Sequence, residues 1–194
     1  MKFTQLPTNM AQSIQLNAGI LVSEFVPATG TVTGILGATS GGISFEAAPE
    51  YTDFGEDIDN CPKGTKELMV LDTWTATMSG TFVTVSTELA KILTAAADID
   101  STDTTKIVPR ADILQTDFDD VWWVGDYSDK TGATNGGFVA VHLLNSLSTG
   151  GFKIQSEDKS KGQFEFEFTG HYSIADPTLV PFELYVKAGT AEPT

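Results

Sequence analysis

The 194-residue chain carries 26 acidic and 11 basic side chains, a formal charge of −15 with Arg110 as its one arginine, so phosphate neutralisation cannot supply tight binding to nucleic acid or an anionic membrane. Its 41% hydrophobic content is enough for a packed core and too high for disorder. The lone Cys61 excludes an internal disulfide and a Cys-x-x-Cys zinc motif, and no apolar run nears the ~20 residues of a membrane span.

Residues 1–14 are polar and turn-prone, with Pro7, Asn9 and Ser13, and read as an irregular N-terminal arm. The opening Met1 to Pro7 lacks the apolar core of a signal peptide, so a chain made and kept soluble in the cell is expected, leaving it only by assembly and lysis. The run Ile20 to Phe25, ending at Val26 before Pro27, mixes β-branched and aromatic residues and predicts a first strand. Residues 27–66 hold Gly30, Gly34, Gly37, Gly41 and Gly42 with little core pattern, and read as a long irregular loop. Within it Ile43 to Phe45 and Tyr51 to Phe54 are candidates for a short hairpin.

From Leu68 to Val85 the alternation is clean, with Thr73, Thr75, Thr77 and Ser79 on one face and Trp74, Ala76 and Met78 on the other. Gly80 is expected to break or bend this segment. Ser86 then caps a helix over about 86–97, with Glu88 in its first turn and Leu89, Ile92, Leu93 and Ala96 on one face. Further strands are predicted at Lys106 to Val108, Asp120 to Tyr127, Phe138 to Leu144, Phe152 to Ser156, Gln163 to Tyr172 and Pro181 to Lys187. Turns are expected between them at 128–137, 146–151, 157–162 and 176–177. Many short strands with one flanking helix read as a mainly β fold, a β-sandwich or barrel, in one domain over 15–194.

Catalytic machinery is not visible. His142 and His171 each sit in a strand pattern and read as surface or hydrogen-bonded residues. Gly37-Ala-Thr-Ser-Gly41 has the wrong spacing for a nucleophile elbow, and no Walker loop occurs. Asp98-Ile-Asp-Ser-Thr-Asp103 lacks the sixth-position glycine of a calcium loop and has Pro109 where a bidentate glutamate belongs. Asp53, Glu56, Asp57 and Asp59 read as a solvated acidic loop. No cofactor and no metal are expected, and the chain is read as a non-enzyme. The adjacent Trp122 and Trp123 must face opposite sides of a strand, which predicts either two covered faces or an exposed aromatic platform for sugars.

The order of features resembles a family. The arm, then Gln15-Leu-Asn-Ala-Gly-Ile-Leu-Val-Ser-Glu-Phe25, the Gly-rich Gly34 to Phe45 and Asp57-Ile-Asp-Asn-Cys-Pro-Lys63, are similar to the opening of major tail tube proteins of long-tailed phages. Trp122-Trp-Val-Gly-Asp-Tyr-Ser-Asp129 and Gln163-Phe-Glu-Phe-Glu-Phe-Thr-Gly-His-Tyr172 sit where that family has them. The resemblance implies hexameric rings stacked into a virion tail tube around a tape-measure protein. It also implies terminator or tip proteins at the tube's ends, DNA passing through without specific binding, no membrane partner, and synthesis in the bacterial cytoplasm. Tubes of contractile tails and type VI secretion share the fold and stay open as alternatives, as do a carbohydrate-binding β-sandwich and a two-carboxylate glycosidase.

On this reading the irregular segments supply subunit contacts, with Phe3, Leu6, Ile35, Leu36, Ile43, Phe45, Tyr51 and Phe54 as candidates. Thr75 is a candidate on a strand expected at a sheet edge, as is the 163–172 strand. Phe164, Phe166 and Phe168 must face a core, so Glu165 and Glu167 project from the opposite face and are candidates to line the channel.

Overall fold

A computed structural model describes residues 14–15, 17–127 and 137–189. Its elements in chain order are β1 (Ile20–Val26), β2 (Thr31–Gly37), β3 (Thr39–Asp53), β4 (Met69–Phe82), α1 (Thr87–Thr94), β5 (Ala97–Ile99), β6 (Ile107–Pro109), β7 (Asp119–Tyr127), β8 (Gly137–Ser148), β9 (Phe164–Thr169) and β10 (Phe182–Lys187). The fold is mainly β with one helix, as expected. The arm residues 1–13 and the turn at 128–136 lie outside the described residues.

Eight strands form one antiparallel hydrogen-bonded sheet in the order β2-β1-β7-β8-β9-β4-β3, with β10 also on β8, while β5 and β6 pair by themselves. The sheet folds over on itself because β8 changes partners. Its residues 137–146 run beside β7, whereas Leu147 and Ser148 pair with Thr169 and Phe168 of β9. At the bend stands Asn145 with φ 45°, and the Asp120 carboxylate accepts its backbone N–H at 2.9 Å. A strand that bends to serve two layers is a known way of making a sandwich corner. β2 and β3 end the order without pairing with each other, so the form is sandwich-like and not a closed barrel.

Between the layers lies the main core. Leu21, Val121, Val141 and Leu143 come from one half of the sheet, and Ala76, Met78, Phe82, Phe164, Phe166 and Phe168 from the other. Leu89 and Leu93 of α1 close one side. The helix forms for the predicted reasons: Ser86 Oγ accepts from Leu89 N at 3.1 Å, and the apolar residues fall on one face. It stops at Thr94, earlier than about 97, because Ala95 turns to φ 65° and Ala97 already belongs to β5. Buried Ser148 donates to Leu93 O at 2.9 Å and ties the helix end to β8.

The largest departure from expectation is residues 27–66, which contain two regular strands and not one long loop; β3 alone runs for 15 residues. Ile43 to Phe45 and Tyr51 to Phe54 do not pair as a hairpin: Ile43 through Asp53 lie on β3 and pair with β4. Gly30 makes the β1–β2 turn at φ 71°, and Gly41 and Gly42, at φ 82° and 87°, form an irregularity in the β3–β4 register. These glycines serve the sheet without interrupting it. Gly80 likewise leaves β4 unbroken: a Cβ there would stand 2.9 Å from Phe166 Cζ, so its role is to admit that ring. The 152–156 strand is reduced to a bridge between Gln155 and Gln163.

Candidate functional site

β9 alternates as predicted: Phe164, Phe166 and Phe168 are buried and Glu165 and Glu167 exposed. Its register with β4 sets Glu165 opposite Thr81, Glu167 opposite Ser79 and Thr169 opposite Thr77. β3 continues the row from the other side, with Ser44 opposite Ser79, Glu46 opposite Thr77, Ala48 opposite Thr75 and Glu50 opposite Thr73. One outward sheet face therefore collects Glu46, Glu50, Glu165 and Glu167 with a file of hydroxyls between them. The hydroxyls fix some of the carboxylates: Thr73 Oγ1 donates to Glu50 Oε2 at 3.2 Å and Thr149 Oγ1 to Glu167 Oε1 at 3.0 Å. Lys153 Nζ stands 4.0 Å from Glu165 Oε2, with both side chains more than half exposed. Such a pair is worth little in water.

Sequence reasoning found Glu165, Glu167 and the threonines but missed Glu46 and Glu50. Their signal was present in Ser44, Glu46, Ala48 and Glu50 alternating with Phe45, Ala47 and Pro49, in a segment read as loop.

The sheet edges differ from those expected. β4 lies between β3 and β9 only over residues 77–82, and β9 lies between β4 and the end of β8; Thr75 pairs with Ala48 of β3 on one side and lies beyond the reach of β9 on the other. A sharp two-faced alternation marks a strand with one face on the core and says nothing of whether both its edges are paired. The strands at the ends of the order are β2 and β3, and Pro49 in β3 suits such a place because it has no N–H to donate.

Ile35 on β2 is 64% exposed, and Tyr51 and Phe54 at the far end of the β3–β4 hairpin are 58% and 61% exposed. Leu36, Ile43 and Phe45 instead pack against the main core, with Phe45 5.6 Å from Phe182, so their apolar surface is committed largely to this chain. Phe3 and Leu6 lie outside the described residues.

The hairpin outruns the sandwich. β9 pairs only with residues 77–82 of β4, whereas the pairing with β3 continues to Asp53 and Met69. Its far end exposes Tyr51, Phe54, Ile58, Met69, Val70 and Leu71. The 54–68 connection is organised by Asp53, whose carboxylate accepts from Gly64 N and Gly55 N, both at 2.8 Å. Those two N–H groups hold its carboxyl below the ordinary range.

The other acidic turn also bonds to itself: Asp100 accepts from the Thr102 hydroxyl and from the Thr102 and Asp103 N–H groups, which lower its pKa to about 2. Among the described residues no group of three or more His, Cys, Asp or Glu side chains is placed to hold a metal ion.

The two tryptophans do face opposite sides. Trp123 packs against the main core and donates from Nε1 to Ala18 O at 2.9 Å. Trp122 lies in a second cluster with Val22, Phe25 and Ala140, only 7% exposed, and stacks on His142 with ring centroids 3.8 Å apart. His142 stands between Asp120 and Glu183, at 3.2 and 3.3 Å. Both faces are covered, and Trp122 offers no sugar platform. No protein-family model matches the chain, and no curated protein matches it.

Proposed function

We propose that this chain is a structural subunit that assembles with copies of itself into stacked hexameric rings, the tail tube of a long-tailed phage virion, and performs no chemistry of its own. The observation that carries the reading is the outward face of β3, β4 and β9, where four glutamates and a file of hydroxyls meet Lys153. A channel that passes DNA must not hold it. Every phosphate neutralised by Lys or Arg adds affinity, whereas carboxylates repel the backbone and hydroxyls keep the wall hydrated.

Two further features support assembly. β2 and β3 end the strand order, and a closed ring covers such edges by making each subunit its neighbour's partner. The hairpin end carries six exposed apolar side chains on a two-stranded ribbon, which is marginally stable alone and gains from a covering surface. In this reading the tape-measure protein occupies the channel during assembly, terminator and tip proteins close the ends, and the subunit is made in the bacterial cytoplasm.

Electron microscopy of the concentrated full chain tests the proposal. Rings or tubes with an open axial channel are the expected result. A monodisperse monomer at every concentration, with no rings on the grid, overturns it.

A further inference from the structure

A cleft of about 580 Å³ opens beside Asn145 and the residues that follow β9, and Gln115, Phe118, Asn145, His171, Tyr172 and Ser173 line it together with Ile174 and Ala175. None of these is an aspartate, glutamate, lysine or arginine, in a chain with 26 acidic side chains. The volume falls in the range of small-molecule sites.

Its polar groups are held from behind. The left-handed bend at Asn145, a conformation asparagine tolerates better than most residues, brings its amide to the neighbouring connection. There Nδ2 donates to His171 O at 3.2 Å, and the Asn145 carbonyl lies 3.2 Å from His171 Nδ1. A carbonyl only accepts, so Nδ1 carries the proton and Nε2 of the neutral ring is left as an acceptor. Phe118 meets the His171 ring edge-on at 5.3 Å. Tyr172 Oη accepts from Trp74 N at 2.9 Å, a bond that does not use its own proton.

The lining residues thus carry donors (Tyr172 O–H, the second Asn145 N–H, the Gln115 amide) and acceptors (Asn145 Oδ1, His171 Nε2) together with the rings of Phe118 and Tyr172. Hydroxyl groups both donate and accept, and the C–H face of a sugar ring lies well on an aromatic ring. A phosphate or carboxylate finds no cation in the lining and is repelled by the chain's charge; an ammonium finds no carboxylate. We propose that this cleft binds a neutral mono- or disaccharide unit. The site is separate from the glutamate face and does not depend on tube assembly.

Saturation-transfer difference NMR on the full chain reads the small ligand whether the protein is monomeric or assembled. The probes are glucose, galactose, N-acetylglucosamine, maltose, lactose and chitobiose. Transfer to the ring C–H protons of at least one is expected, with affinity about tenfold weaker in Asn145→Gly, which keeps the backbone bend and removes the amide. Tyr172→Phe keeps the ring, removes the hydroxyl and is expected to weaken binding similarly, so it decides the matter if Asn145→Gly does not fold. No transfer from any of the six sugars, or affinity unchanged in the folded variants, overturns the proposal. Equal binding of the anionic N-acetylneuraminic acid overturns its neutrality.

Discussion

Arg110 shows how one side chain can organise a connection with little regular structure. Its Nε lies 2.8 Å from Asp98 Oδ2, one terminal nitrogen donates to Asp112 O at 3.1 Å, and the other pairs with Asp117. The Asp117 side chain is only 2% exposed. Burial pushes its carboxyl up, but the Leu114 N–H and the Arg110 guanidinium outweigh that and hold it below the ordinary value. Removing the cation strands a buried carboxylate, so Arg110→Ala is expected to lower the free energy of unfolding by about 3 kcal/mol, read from urea denaturation. A loss no larger than that of a surface substitution contradicts this account. Asp53 acts by the same logic without a cation. Because its folded pKa is depressed, its hold on the 54–68 connection is fully present above the unfolded value near pH ~4 and is lost as pH falls through the folded value. Amide exchange over 54–68, corrected for intrinsic rate, is therefore expected to accelerate selectively on acidification. Asp53→Asn should show that acceleration already at neutral pH.

At the scale of elements, the hairpin is the feature most exposed to test. Phe54 and Ile58 are 61% and 51% exposed, so changing both to serine removes little that the folded chain buries. Phe54→Ser with Ile58→Ser is expected to leave the thermal midpoint within a few degrees of the parent while abolishing tubes on the grid. Normal tubes from the double variant would assign the hairpin end no role in assembly. The same hairpin shows what was legible in the sequence. β4, β9 and α1 could be read because each packs one face on the core, and the apolar period records that contact, whereas β7, covered on both faces, was legible from its run of β-branched and aromatic residues. β2 could not be read, because a strand at the end of the sheet with both faces largely exposed has no burial to impose a period; β3 does alternate from Ile43 to Glu50, but its inward side is only half-buried and includes Ala47 and Pro49, which makes the apolar period weak. Glycines needed for a turn and a bulge then looked like a loop. Glu165 and Glu167 were readable because Phe164, Phe166 and Phe168 fix the parity of β9. Their meeting with Glu46 and Glu50 depends on a register that only the folded sheet supplies.

For the whole molecule the deciding quantity is charge and where it lies. With 26 acids against 11 bases, both halves are acidic, 10 against 4 over residues 1–97 and 16 against 7 over 98–194. In the proposed ring, subunits of charge −15 repel their copies, so the assembly would rest on apolar and backbone contacts of the kind the hairpin end and the edge strands offer. In the proposed tube the glutamate face has two possible places, the outer wall or the lumen, and only the lumen makes its charge matter to transport. Glu165 and Glu167 are exposed, and Lys153 at 4.0 Å from Glu165 neutralises little of this charge in water. Replacing both glutamates with lysine changes the subunit's charge by +4, and a ring of six by +24. In a channel that is a wall of phosphate-binding groups where the parent has repulsive ones. Glu165→Lys with Glu167→Lys is expected to leave the fold intact, because neither side chain contributes to the core, and to leave tubes visible by electron microscopy. Genome ejection from particles carrying the variant should slow, and the slowing should shrink as salt rises and the Debye length falls from about 10 Å at 0.1 M. Salt dependence separates this mechanism from a narrowed channel, since a steric obstruction is not screened. Ejection at the parent rate from tubes of the double variant at low salt would place the glutamates on the outer wall.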